Sequence, residues 1–140
     1  MSTLVTQTVQ SNTSGPPVFK NSSGTEKGQL VKAWANIETS TSTSPGGSKT
    51  INGSFNISSC TDINLGQHQI TFTSAFADAN YCVVSSGHYL RNDSDAGVEG
   101  NAREMGAYIL TTTNFKLVVT YDGQTTQDAG NIFCAVFGGG

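Results

Sequence analysis

Charge is what this chain has least of. Lys and Arg contribute 7 of its 140 residues and Asp and Glu 10, so 12% are charged, against about a quarter in an ordinary globular domain. With a formal net charge of −3 there is no basic field to neutralise phosphates, which sets nucleic acid aside as a partner. Long apolar runs are missing as well, and insertion into a membrane through an apolar helix needs about 20 such residues in a row. Met1-Ser2-Thr3-Leu4 lacks the basic and apolar regions of a secretory signal, so synthesis in a cytoplasm is expected. Cysteine is sparse. Cys60, Cys82 and Cys134 form no close pair and sit among apolar or small neighbours. They read as buried free thiols, with a Cys82 to Cys134 bridge as the sharper alternative.

What fills the chain instead is hydroxyl and amide: Ser and Thr together make up about a quarter of it, with Asn and 16 Gly beside them, a composition that suits exposed β-structure and its turns. A length of 140 residues allows one domain with a core of its own. No segment of helical length carries a helical period. Short stretches of strict alternation recur instead, each closed by Gly, Asn or Asp, and they predict strands buried on one face.

The chain divides at about residue 32. Residues 1–32 hold little that could pack alone, and Pro16-Pro17 favours extended backbone; an extended arm that takes its order from a neighbouring subunit or a larger assembly is expected there. Residues 33–140 are expected to form the body. Lys32 to Ile37 puts Trp34 and Asn36 on one face and Ala33, Ala35 and Ile37 on the other, with Trp34 a core or interface anchor. Thr39 to Lys49 is a loop by composition. Phe55 and Ile57 are expected to point the same way on the next strand. Ile70 and Phe72 pair with that strand across Asn64-Leu65-Gly66 as an antiparallel hairpin. Tyr81 to Leu90, Ala107 to Leu110, Phe115 to Tyr121 and Ile132 to Phe137 supply further strands. The sum is an all-β domain, an antiparallel β-sandwich or jelly-roll-like body preceded by an extended N-terminal arm.

Several of these segments have a familiar wording. Lys32-Ala33-Trp34-Ala35-Asn36, Ser54-Phe55-Asn56-Ile57-Ser58-Ser59, Ile70-Thr71-Phe72-Thr73 and Asp78-Ala79-Asn80-Tyr81 resemble a domain of tailed-bacteriophage virion structural proteins, especially tail-fibre-like proteins of marine phages. Gly15 to Glu26 is similar to the lead-in that precedes that domain. Cys60 stands where the family pattern has an aliphatic residue, and Asn64-Leu65-Gly66-Gln67-His68 replaces a more acidic turn. The resemblance covers most of residues 15–90 and implies a β fold and a place on a virion surface. The expectation that follows is a non-enzymatic structural protein without a cofactor: a short tail fibre, or a head decoration, fibre or knob. Its partners would be its own copies in a homotrimer, other virion proteins through the arm, and host surface glycans. A carbohydrate-binding adhesin or lectin-like receptor-binding module is the alternative.

Chemistry-bearing constellations are thin. His68 and His88 with Cys60 and Cys82 lack the CxxC step and spacing of a compact zinc motif. His68, His88 and a loop carboxylate have no nucleophile elbow to serve. Asp93, Asp95 and Glu99 fall in one polar loop, but without the donors and glycine of an EF-hand they read as a solvated loop. The Asn-x-Ser/Thr sequons at Asn12, Asn21, Asn52, Asn56 and Asn92 follow from composition. Tyr89 and Tyr108 flank the acidic loop and could stack on a sugar ring, with core positions as the competing assignment. No catalytic, cofactor-binding or metal-binding residue is assigned.

Overall fold

The computed structural model describes residues 18–20, 22–24, 26–39, 46–88, 104–109, 111–121, 125–126 and 128–139. Every regular element among them is a strand. Their order along the chain is β1 (Val18–Lys20), β2 (Glu26–Gln29), β3 (Ala33–Glu38), β4 (Thr50–Phe55), β5 (Ile57–Asn64) and β6 (Gln67–Phe72). Then come β7 (Tyr81–His88), β8 (Glu104–Ile109), β9 (Asn114–Tyr121), β10 (Thr125–Thr126) and β11 (Asn131–Gly138). Strands β1 and β2 form a separate antiparallel ribbon within the segment expected as an arm. The rest make two antiparallel sheets, one of four strands in the order β4-β3-β11-β7 and one of five in the order β10-β9-β6-β5, with β8 also paired to β9. The all-β sandwich expected from alternation is the fold.

Alternation decides which side chains the sheets enclose. Ala33, Ala35 and Ile37 of β3, Ile132, Cys134 and Val136 of β11, and Tyr81 of β7 are buried on the inner face of the four-stranded sheet. Opposite them lie Cys60 of β5, Ile70 and Phe72 of β6, and Phe115, Leu117 and Val119 of β9. Both sheets thus supply large side chains to the core, with Ala33, Ala35 and Cys60 as its small members, and the layers interdigitate as a protein interior requires. One end is closed by rings: Phe72 and Phe76 stack with centroids 4.3 Å apart, and Tyr81 meets Phe76 edge-on at 5.2 Å. The Tyr81 hydroxyl donates to the carbonyls of Thr111 at 2.9 Å and Asn114 at 3.0 Å, so its polar tip is satisfied.

The hairpin expected between β5 and β6 is present, with Cys60 opposite Ile70 and Asp62 opposite His68. Gly66 takes the positive φ, 64°, that its tight turn requires. Phe55 and Ile57 do not share a face. Asn56 between them has φ 54°, a left-handed conformation that Asn tolerates better than other side-chain-bearing residues. There the chain leaves the four-stranded sheet and enters the five-stranded one. Its side chain secures the corner: the amide nitrogen donates to the carbonyls of Lys32 and Ser74, both at 3.3 Å, and its oxygen accepts from the Ser74 amide at 2.8 Å. Phe55 ends on the outer face and Ile57 in the core.

Candidate functional site

The histidines and cysteines singled out in the sequence do not converge. Cys60 and His68 project into the sandwich from adjacent strands. His88, described in its backbone only, is the last residue of β7. Cys82 is exposed, contrary to the expectation of three buried thiols, because Tyr81 and Val83 on either side of it take the inward positions of β7. Cys134 is buried on the inner face, so Cys82 and Cys134 point to opposite sides of one sheet and the bridge between them is ruled out; all three thiols are free. Burial pushes the Cys60 thiol up to about 12, with the neighbouring Cys134 adding to it, and burial pushes Cys134 up to about 11. Neither is a nucleophile at neutral pH. Asp93, Asp95, Glu99 and Tyr89 lie outside the described residues. Among the described residues no group of three His, Cys, Asp or Glu is placed to hold a metal ion.

The five-stranded sheet conceals a polar group that sequence reasoning missed. Residues 46–49 run along β5, with Ser48 bridged to Thr61 and the Lys49 amide donating to the Cys60 carbonyl at 2.9 Å. That path carries Lys49 inside, where its ammonium lies 3.1 Å from Asp62 Oδ2, with both side chains almost wholly buried. His68 stands opposite Asp62 and is fully buried. Asp62 Oδ1 and both ring nitrogens of His68 have no hydrogen-bond partner. Burial holds the His68 imidazole below its ordinary value, against the opposing pull of Asp62 and Asp128. Its burial keeps substrate away, so the group acts on stability and not on chemistry. Lys49 stands in a Ser/Thr/Gly-rich loop by composition, and no signal in the sequence marks it as interior.

The surface feature that stands out is the outer face of the four-stranded sheet. Strand register aligns Phe55 of β4, Trp34 of β3, Ala135 of β11 and Val84 of β7 as a row of direct cross-strand neighbours. Phe133 lies in the next row between Asn36 and Ser86, and Phe137 is paired with Cys82 beyond Ala135. Trp34 is 43% exposed, Phe55 51%, Phe133 40% and Val84 59%. The indole leans along the sheet, its ring edge 3.5 Å from where a side chain at Gly53 would begin. A shallow hollow of about 250 Å³ is lined by Val84, Phe133 and Ala135, among others. Among the described residues, charge on this face is confined to the ends of β3, at Glu38 and at Lys32, which keeps the same alternation one residue before the strand.

The five-stranded sheet presents the opposite chemistry. Thr61, Gln69 and Lys116 form a row across β5, β6 and β9 on its outer side, continued by Tyr108 of β8. The Lys116 ammonium donates to Gln67 Oε1 at 2.9 Å. Tyr108 is 62% exposed and lines, with Gly106, Val118 and Thr120, a hollow of about 290 Å³. Of its two proposed roles, the surface position is the one it occupies.

No protein-family model matches the chain, and no curated protein or solved structure matches it either.

Proposed function

We propose that this chain is a non-enzymatic structural protein of a tailed-phage virion, held on the particle surface as a β-rich homotrimer, in the manner of a short tail fibre or a head-attached decoration, fibre or knob. The observation that carries the proposal is a two-sheet body with a charge-poor surface and one outer face exposing Trp34, Phe55, Phe133 and Val84. Such a body works by being held in several copies, where many weak contacts become firm attachment through effective concentration. The phage-like wording of residues 15–90 supports a place on the virion. Residues 1–32 dock it to other virion proteins or knit its subunits together. Deleting residues 1–32 is expected to abolish incorporation into particles while residues 33–140 still fold; incorporation at the normal level refutes the assignment.

A second reading, a carbohydrate-binding adhesin, is favoured by Tyr108. Its ring stands exposed on a face of Thr, Gln and Lys side chains, and neutral polar groups beside an aromatic platform suit sugar hydroxyls. Glycan-array binding that is lost in Tyr108→Ser supports it. An array without signal at any practical concentration ends it.

A further inference from the structure

We infer that the outer face of the four-stranded sheet is covered by a second copy of this chain. The inference deepens the proposal of a multi-copy body and names the surface through which copies meet. Four aligned strands offer a continuous strip whose central row, Phe55–Trp34–Ala135–Val84, is apolar from one edge of the sheet to the other. Taken with Phe133, the exposed parts of these side chains amount to roughly 450 Å² of apolar surface, the size of the largest patch on a typical monomer.

The area favours a second copy. Homomeric interfaces are about 65% apolar, so roughly 450 Å² of apolar surface corresponds to about 700 Å² per partner, close to the 800 Å² or so of a standard specific interface. Charge points the same way. Among the described residues this face carries ionised groups only at the ends of β3, Lys32 and Glu38, which leaves the centre without any, as subunit contacts require. A charged partner would find nothing to pair with there. A sugar would find few hydrogen-bonding groups beside the rings, Asn36, Asn131 and Ser86, and the Asn36 amide oxygen already receives the Asn131 amide at 3.5 Å. Another copy brings a surface of the same extent and neutrality, and sheets pack face to face without further adaptation. Trp and Phe are also the side chains that most often carry contact energy when water is excluded from around them.

The test is sedimentation of the full chain over a concentration series up to the order of 100 μM, a range that detects dissociation constants of that order or tighter, alongside Val84→Lys and Phe55→Ser. Both positions are more than half exposed in the single chain, so the circular-dichroism melts should match that of the parent at a dilution where the parent is monomeric. The expected result is an oligomer, dimer or trimer, whose dissociation constant rises at least tenfold in each variant. Cys82 gives a second measurement on the same face, since it is the exposed thiol while Cys60 and Cys134 are buried. Its alkylation should be slow in the concentrated parent protein, and fast on dilution or in Val84→Lys. A parent chain that stays monomeric overturns the inference, whether the face is then open or covered by the chain's own N-terminal segment. Equal association in parent and variants, or a Cys82 rate independent of concentration, overturns it too. An oligomer broken by these variants in a protein that never enters virions leaves this inference standing and removes the virion proposal; a monomer that does enter virions does the reverse.

Discussion

The two sheets of this sandwich divide their labour differently. The four-stranded sheet carries large apolar residues on both faces, Ile37, Ile132, Val136 and Tyr81 inside beside the smaller Ala33, Ala35 and Cys134, and Trp34, Phe55 and Phe133 outside. The five-stranded sheet keeps its bulk on one side only, with Phe115, Leu117 and Ile70 inside and Thr61, Gln69 and Lys116 outside. Folding alone explains the second arrangement, because it puts bulk in the core and polarity in water. The first leaves large apolar surface exposed, and that surplus is the mark of a face with a use. The five-stranded sheet has an irregularity of its own, the buried Lys49–Asp62 pair with His68 beside it.

Substitutions at four positions sharpen this contrast. The largest effect is expected from Lys49→Met, which strands the Asp62 carboxylate in the interior of the five-stranded sheet and should cost about 3–5 kcal/mol in urea unfolding. A loss below about 1 kcal/mol would mean that Asp62 relaxes to water, and that this sheet is less closed than its mate. Next comes Asn56→Ala at the corner joining the sheets, expected to cost about 2–4 kcal/mol through lost hydrogen bonds and left-handed strain, with Asn56→Gly recovering about 1 kcal/mol of it. Equal losses in the two variants would show that the conformation at 56 is not strained for Ala.

The third probe is pH. His68 titrates lower in the fold than its ordinary 6.5 because burial disfavours the imidazolium. The unfolded chain therefore binds the extra proton first, so this contribution is complete above about pH 6.5 and is lost as pH falls through and below it. His68→Leu should flatten the acid limb of the stability profile and leave the alkaline limb in place. That limb belongs to Cys60 and Cys134, whose thiols, ordinarily near 9.0, hold their protons to about 12 and about 11 in the fold. Their contribution is present below about pH 9 and lost as pH rises above it. An unchanged acid limb in His68→Leu would assign the effect to other groups. The smallest effect is expected from Val84→Thr, whose unfolding free energy, measured at a dilution where the chain is monomeric, should stay within about 0.5 kcal/mol of the parent because the side chain is then mostly in water; a larger loss would mean that the outer row supports the fold itself.

Much of the fold was legible in the chain. The alternation Phe115, Leu117, Val119 marks one buried face of β9, and the partition of Trp34 and Asn36 from Ala33, Ala35 and Ile37 holds in β3. Which side of β3 turns inward could not be read there, since it depends on β3 lying beside β11, 103 positions on at the Ala33–Val136 pair. Period-two reasoning failed at Phe55 and Ile57 because one left-handed residue reverses the face assignment of everything after it. It failed at Cys82 because a small thiol carries too little apolar surface to set register, and Tyr81 and Val83 decided it instead. Lys49 escaped notice because a loop's composition says nothing about which of its charges finds a buried partner.

Strand β11 lies between β3 and β7, and this placement has a temporal consequence. During synthesis the five-stranded sheet has all its members once residue 126 has been made, whereas β3 and β7 have no shared neighbour until residues 131–138 follow. The polar-backed layer therefore has all its strands earlier in the chain than the aromatic-backed one. The aromatic-backed layer, with the surface on which copies would recognise one another, is joined into one sheet only by β11, which pairs with both β3 and β7.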